Sequence, residues 1–225
     1  MPAQTTSTPG KTILFGEHAV VYGRPALAVP VTQVGVRVIV TADPRGTPGN
    51  GHLLAPEIHL DTSTRDLPDS HPLRVALEQA RAALGLARFP AYTLKITSTI
   101  PVAAGLGSGA AVAVAVIRAM SAFVGRPLPD EKVSALAYEV EKIHHGTPSG
   151  IDNAVITYAR PVYFVRGQPL ETFEPAAPLT FVIGDTGRHS PTAATVGDVR
   201  TRWQADRARY ETLFDEIGAL TQQAR

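Results

Sequence analysis

The amino-acid sequence predicts a globular protein of mixed α and β structure, in the α+β or α/β class. Of its 225 residues, 44% are hydrophobic and 18% are charged, a balance typical of folded domains with a sizeable core. Segments with the two-residue period of strands alternate along the chain with segments of helical period. A chain of this length admits either one domain or two.

Local patterns assign an element to most of the chain. Alternating β-branched residues predict strands, most clearly in Val34–Thr41, VGVRVIVT. Apolar residues three and four apart predict one helix over Pro72–Leu86 and another over Pro129–His145. Residues 43–69, rich in Pro, Gly, Asp and Thr, predict a long irregular connection. The other predictions are strands at 11–15, 57–60, 92–98, 161–165 and 179–184, a turn at 147–153 and a largely helical segment at 191–220.

Charge and cysteine content exclude several classes of function. The formal net charge is only +1 and no basic run occurs, so nucleic acid is not an expected partner. The absence of cysteine excludes disulfides, thiolate metal sites and cysteine nucleophiles. The N-terminal segment has no apolar signal region, and the longest apolar run, Ala110–Ile117, is too short to span a bilayer. We therefore expect a cytoplasmic protein with no membrane partner.

A glycine-rich segment, Ile100–Val116 (IPVAAGLGSGAAVAVAV), admits two interpretations. It is either a turn before a buried helix or a loop that holds phosphate. Gly105, Gly107 and Gly109 lack Cβ atoms, so backbone N–H groups can approach an anion at the start of the helix. Ser108 adds a hydroxyl suited to a phosphate oxygen or Mg²⁺. No Gly-Lys-Ser/Thr sequence follows, so the loop is not a Walker A motif, and a nucleotide phosphate held here would need its cation from elsewhere.

A second polar segment follows the first predicted strand. Lysine occurs at only four positions, and Lys11 begins that strand, ahead of GEHAVVYG. Glu17 and His18 are either an exposed polar pair at a strand end or, together with Lys11, the border of a cleft for a polar small molecule. The sequence leaves both interpretations open.

A third segment, Tyr138–Asn153 (YEVEKIHHGTPSGIDN), brings two carboxylates near a sharp turn. Glu141 lies on a predicted helix, and Asp152 follows a turn that contains Gly146, Pro148 and Gly150. A chain reversal at this turn can bring the two carboxylates together. One carboxylate would then be available for Mg²⁺ and the other for a substrate hydroxyl. The alternatives are a solvated helix-face charge for Glu141 and a helix cap for Asp152. The adjacent His144 and His145 point in different directions on a helix, which argues against a zinc site.

Three segments in this order resemble the GHMP kinases: GKTILFGEHAVVYG, IPVAAGLGSGAAVA and EVEKIHHGTPSGIDNAV. GEHAVVYG and HGTPSGIDNAV resemble the mevalonate kinase branch of that superfamily. The resemblance implies an α+β GHMP kinase fold with an N-terminal domain of the ribosomal protein S5 type, expected at residues 1–160. It also implies a ferredoxin-like C-terminal domain, of which residues 161–225 would be a part.

The resemblance also implies roles for individual residues. ATP would be the co-substrate, Asp152 would face the attacking hydroxyl, and Lys11 would lie near Asp152 and the phosphates. Ser108 and Glu141 would ligate Mg²⁺. Glu17 and His18 would help to bind mevalonate, with Thr192 as a further substrate-binding candidate. The ATP-binding residues would be those of the glycine-rich loop: Pro101, Gly105, Leu106, Gly107, Ser108, Gly109 and Ala110.

The chain departs from the family pattern at its C-terminal end, because Arg225 comes before the third glycine-rich motif expected of GHMP kinases. Either the natural protein is shortened or the sequence is a fragment. A shortened protein would leave apolar surface for a partner subunit to cover, so a homodimer is a possible assembly. The expected function is ATP-dependent phosphorylation of mevalonate in isoprenoid precursor biosynthesis. The alternatives are a kinase for phosphomevalonate, galactose or homoserine, and a non-catalytic remnant that binds nucleotide.

Overall fold

A single mixed sheet with helices packed against it organises the protein. The computed structural model describes residues 3–101, 104–145, 148–184 and 192–225, without the side chains of residues 144, 145 and 192–194. The strands are β1 (Gln4–Phe15), β2 (Ala26–Ala42), β3 (Gly51–Ala55), β4 (Leu60–Ser63), β5 (Tyr92–Ser98), β6 (Val162–Phe164) and β7 (Glu171–Thr172). The helices are α1 (Pro72–Ala83), α2 (Ser108–Phe123), α3 (Asp130–His145), α4 (Ile151–Tyr158), α5 (Thr192–Ala205) and α6 (Arg207–Gln223).

Strand β2 is the centre of the sheet, whose order is β4-β3-β5-β2-β6-β7 with β1 paired to β2. One edge of β2 pairs with β1, and the other pairs with β6 in its first half and β5 in its second half. These pairings are antiparallel, whereas β3 and β5 are parallel. A register shift between Pro9 and Gly10 of β1 divides the long β1–β2 ladder into two parts.

The main hydrophobic core lies between the sheet and helices α1, α2 and α3. Helix α2 is its centre, because alanine and valine cover almost every side of the helix and eleven of its residues are buried. Small side chains allow α2 to approach the sheet and the neighbouring helices closely. The start of α2 is therefore held in place by packing on several sides.

A second hydrophobic cluster joins the end of β1 to α4. Val20 lies in a short 3₁₀ helix, Ala19–Tyr22, and packs with Ile151 and Val155 of α4 and with Val162 of β6. Helix α6, the last helix of the chain, also packs against this 3₁₀ helix. None of the described helices is long and apolar enough to cross a membrane.

Several predicted elements differ from those observed. The predicted strands at 11–15 and 34–41 are the ends of longer strands, because β1 begins at Gln4 and β2 at Ala26. The irregular connection at 43–69 contains β3 and β4, and helix α4 begins inside the predicted turn. Residues 179–184, predicted as a strand, form no strand, and Val182 is 94% exposed. The predicted domain boundary at 160/161 stays a prediction, and β6 and β7 lie in the same sheet as the preceding strands.

Candidate active site

Lys11 connects three parts of the candidate site. Its backbone N–H donates to the carbonyl of Leu106 in the glycine-rich loop at 3.0 Å. Its ammonium Nζ lies 3.1 Å from Oδ1 of Asp152 on α4. The side chain of Lys11 is only 6% exposed and that of Asp152 is 28% exposed, so the ion pair is shielded on the lysine side and accessible on the carboxylate side. A small molecule can therefore reach Asp152 without displacing Lys11.

The glycine-rich loop ends at the first turn of α2. Gly107 is the N-cap residue, with φ +74°, and Gly105 has φ +76°, both in the region that favours glycine. None of the described side chains caps this helix, so the N–H groups of its first turn keep their capacity to bind an anion. Gly105 and Gly109 are exposed, and Ser108 is half-buried, so the loop faces solvent while Ala110 is buried in the core.

Gly107 also leaves the space through which the Lys11 side chain passes. A Cβ at this position would lie 2.9 Å from Cγ of Lys11 and 3.0 Å from Cδ1 of Ile156. Both distances are shorter than ordinary van der Waals contact. Ile156 is fully buried on α4, one helical turn after Asp152, and so forms the opposite wall of this passage. Gly107 and Ile156 together hold the lysine stem on its path to Asp152.

Asp152 lies in the first turn of α4, which begins after Gly150 at φ +95°. The next residue, Asn153, is buried, and its Nδ2 donates to the carbonyl and to Oγ of Ser134 on α3, at 3.1 and 2.8 Å. These bonds tie the start of α4 to α3. The carboxylate of Asp152 is therefore mounted on a helix that is fixed to the core.

Glu141 is buried near the end of α3, with 3% exposure. Helices α2 and α3 are antiparallel neighbours, joined by a short connection and by an Arg118–Asp130 contact of 2.6 Å. Ser108 lies ten residues before Arg118 on α2, and Glu141 lies eleven residues after Asp130 on α3. This register brings Ser108 and Glu141 to the same end of the helix pair.

Glu17 and His18 follow directly after β1. Glu17 is exposed and His18 is half-buried, with φ +63° and ψ −48° at the position before the 3₁₀ helix. Val20, two residues on, packs with Ile151 in the second hydrophobic cluster. The segment with Glu17 and His18 and the helix with Asp152 therefore share one buried cluster.

The other predicted site residues are less well defined. Pro101 is exposed, between the end of β5 and the glycine-rich loop. Residues 102 and 103 lie outside the described residues. The side chain of Thr192 also lies outside the described part of the chain, as do residues 185–191 before it. Sequence reasoning missed Ile156, because the sequence predicted a turn at 147–153 and not the helix α4. Its position four residues after Asp152 is a signal only when that segment is helical.

The donor set at this site is suited to Mg²⁺ rather than to a closed metal site. Among the residues that the structure describes, no group of three or more histidine and acidic side chains could hold a metal ion. Mg²⁺ in phosphoryl-transfer sites needs fewer ligands from the protein, because phosphate oxygens and water complete its octahedral shell. A buried carboxylate, Glu141, and a hydroxyl at a helix start, Ser108, fit that requirement.

Comparisons with known proteins show the family to which the chain belongs. The family model "GHMP kinases N terminal domain" matches residues 71–160, from α1 to the end of α4. A mevalonate kinase of Thermococcus sibiricus is 34% identical over 236 aligned residues, which cover 97% of this chain and 68% of the relative.

Solved structures show the same fold. The crystal structure of the Methanococcus jannaschii mevalonate kinase superposes with a TM-score of 0.79, covering 99% of this chain and 72% of that one at 22% identity. The L. major mevalonate kinase, solved in complex with R-mevalonate, superposes with a TM-score of 0.69 over 98% of this chain and 67% of that one, at 27% identity. From the extent of the match and the identity to the Thermococcus sibiricus enzyme, this chain belongs to the mevalonate kinase family of the GHMP kinases.

Proposed function

We propose that this protein transfers the γ-phosphate of ATP to the 5-hydroxyl of mevalonate. The observation that carries the proposal is the 3.1 Å contact between Lys11 Nζ and Asp152 Oδ1, beside an uncapped helix start. The relatives that match almost the whole chain are mevalonate kinases, and one related structure was solved with R-mevalonate. These names support the choice of mevalonate as the acceptor.

Asp152 and Lys11 would act on the acceptor hydroxyl. The exposed face of the Asp152 carboxylate would accept a hydrogen bond from the hydroxyl and orient its oxygen toward the γ-phosphorus. It would take the hydroxyl proton as the new O–P bond forms and the bond from the γ-phosphorus to the β–γ bridging oxygen breaks, with ADP as the leaving group. Lys11, held at 3.1 Å, favours the ionised carboxylate and offsets negative charge on the transferring phosphoryl group. Within this ion pair, Asp152 would thus act on the acceptor hydroxyl and Lys11 on the transferring phosphoryl group.

The start of α2 would hold the phosphates. The N–H groups of Ser108, Gly109 and Ala110 and the positive end of the helix dipole favour an anion at this point. Ser108 Oγ and the Glu141 carboxylate would hold Mg²⁺, which neutralises phosphate charge when it is bound. Because α2 is buried on nearly every side, these groups need little rearrangement to bind a nucleotide.

The segment with Glu17 and His18 would bind the rest of the acceptor, with Thr192 as a further candidate. Glu17 offers an exposed carboxylate, and the half-buried His18 offers a ring nitrogen. A cytoplasmic location, a homodimer and a division into two domains stay predictions from the sequence.

A coupled assay with Mg-ATP tests the acceptor directly. We expect phosphorylation of mevalonate, and none of phosphomevalonate, galactose or homoserine at equal concentration. Turnover of one of those three in place of mevalonate would show that the acceptor is wrong. ATP binding without turnover of any acceptor would favour a nucleotide-binding remnant.

Asp152→Asn tests the role of the carboxylate. We expect kcat to fall by about 10²- to 10⁴-fold, the usual contribution of a positioned base, while ATP binding measured by calorimetry stays within about twofold. The matched control is Asp61→Asn, because Asp61 is an exposed carboxylate paired with His52 at 2.7 Å on β4. Full activity of Asp152→Asn would refute the assignment.

A further inference from the structure

The chain makes a strained turn at His18. The N–H of Ala19 donates to the carbonyl of Glu17 at 2.8 Å, and His18 between them has φ +63° and ψ −48°. These angles and this bond define a classic γ-turn, which is rare and strained for a residue other than glycine. A strained turn persists only where its surroundings hold it in place.

The buried side of this turn is fixed by the 3₁₀ helix that follows it. Ala19 is fully buried and Val20 is 2% exposed. The N–H of Val20 donates to Gly16 and the N–H of Val21 donates to His18, at 3.0 and 3.1 Å. These contacts fix one face of the turn. The other face of the 3₁₀ helix is covered by α6.

The C-terminal helices meet this 3₁₀ helix through five side chains, which we call the α6 clasp. They are Tyr22 of the 3₁₀ helix, Arg24 just after it, Trp203 at the end of α5, and Glu211 and Phe214 of α6. The Tyr22 ring stacks on Phe214, with centroids 4.3 Å apart and planes 16° apart, and lies 5.1 Å from the Trp203 ring. Glu211 accepts hydrogen bonds from Arg24 at 2.5 Å and from the Trp203 indole at 2.9 Å.

Arg24 connects the clasp back to the turn. Its guanidinium donates to the carbonyl of Tyr22 at 2.8 Å and also to Asp215 of α6 at 2.9 Å. Its backbone N–H donates to the carbonyl of Ala19 at 3.2 Å. Its aliphatic stem lies against α6 at Gly218, where a Cβ would come within 3.2 Å of Cγ of Arg24. Arg24 therefore contacts both ends of the 3₁₀ helix and two carboxylates of α6.

We propose that Tyr22 and Arg24 are positioning residues for the acceptor subsite, which hold the His18 turn in its strained shape through their contacts with α6. The identity of the acceptor rests on the proposed function. Glu17 and His18 lie in the turn itself, and the 3₁₀ helix transmits the position of α6 to them over four residues. The glycine-rich loop has no part in the clasp, so the effect is confined to the acceptor.

Steady-state kinetics of Arg24→Gln test the proposal. We expect the KM for mevalonate to rise by roughly 3- to 10-fold, a typical coupling between residues in contact, while the KM for ATP stays unchanged. The matched control is Arg74→Gln on α1. Like Arg24, Arg74 pairs with a carboxylate, that of Asp69, and donates to a backbone carbonyl, that of Leu67. An equal rise in both KM values, or a rise no larger than in Arg74→Gln, would overturn the proposal.

A double-mutant cycle with Glu211→Gln tests whether Arg24 acts through α6. We expect the two substitutions together to raise the KM for mevalonate little more than either one alone, because both break the same contact. If the fold-increase of the KM in the double variant equals the product of the two single increases, Arg24 acts on the turn by itself. That result would refute the role of α6.

Hydrogen exchange at the Ala19 amide gives a test that needs no activity. We expect Arg24→Gln and Tyr22→Leu to speed exchange of this amide at least threefold, and Arg74→Gln to leave it unchanged. If the unmodified chain does not phosphorylate mevalonate, the proposed function fails and this exchange result alone decides whether the clasp holds the turn. Unchanged exchange in both clasp variants would refute the coupling.

Discussion

The two turns of the candidate site reach positive φ angles by different means. The glycine-rich loop uses glycine at Gly105 and Gly107, where the conformation costs little. The turn after β1 uses His18 at φ +63°, where a side chain makes the conformation costly. The difference follows from what each turn offers: the loop presents backbone N–H groups, whereas the His18 turn presents side chains. The positive φ angles of the glycine-rich loop need no neighbouring contacts to offset strain. The positive φ of His18, as proposed above, depends on the α6 clasp.

Within the loop, Gly107→Ala should have the largest effect. The new Cβ would meet Lys11 and Ile156 at 2.9 and 3.0 Å and would keep an unfavourable φ. Overpacking and strain together should lower the free energy of unfolding by about 2–4 kcal/mol, measured by urea denaturation, and the displaced Lys11 should lower kcat.

Gly105→Ala is the matched control, because its φ is almost the same and, apart from its chain neighbours, no described residue has an atom within 4 Å of the new Cβ. Only the cost of the backbone angle remains, about 1–2 kcal/mol. Equal losses of stability in the two variants would show that Gly107 does not act by making room for Lys11.

His18→Gly and His18→Ala should separate strain from function. Both variants lose the imidazole and should raise the KM for mevalonate. Glycine accepts the positive φ and alanine does not, so the glycine variant should be the more stable by about 1 kcal/mol in thermal or urea unfolding. An alanine variant as stable as the glycine variant would mean that the turn at His18 is not strained.

Acid should loosen the α6 clasp. Hydrogen bonds from Trp203 and Arg24 hold the pKa of Glu211 below its ordinary value of 4.5, with Arg207 adding a smaller effect. Because the pKa is lowered in the folded state, this stabilisation is present above pH 4.5 and is lost as the pH falls through the lower folded value. Asp215, which also accepts from Arg24, faces the same guanidinium.

The fluorescence of Trp203, the single tryptophan of the chain, reports this change. We expect a step with a midpoint below pH 4.5, present in the unmodified protein and absent in Glu211→Gln. A step that persists in Glu211→Gln would assign the titration to another group.

Elements with a regular local pattern could be predicted from the sequence. Strand β5 matches its predicted range, and α1 and α3 begin within one residue of theirs. Strand β2 was predicted only over its second half, because Pro30 interrupts the pattern while the sheet on both sides supports the strand. Residues 179–184 have the composition of a strand, but among the described residues no neighbouring strand pairs with them.

Part of the candidate site could also be predicted, because some of its residues lie in local sequence patterns. Ser108 and Asp152 lie in short motifs with recognisable turn residues, so their segments were identifiable in advance. The roles of these residues stay predictions. Arg24 contacts Glu211 and Asp215 at separations of 187 and 191 residues, and contacts of this kind leave no local pattern in a single sequence.

Lys11 has a mechanical consequence for catalysis. Its backbone is bonded to the loop that would hold ATP, and its ammonium is bonded to the carboxylate that would hold the acceptor. A displacement of β1 would therefore move the loop and the carboxylate together, and would change little in the distance between an ATP and an acceptor bound as proposed. The spacing between the two proposed binding groups would thus be tied to one strand, β1, which is paired along its length with the central strand β2.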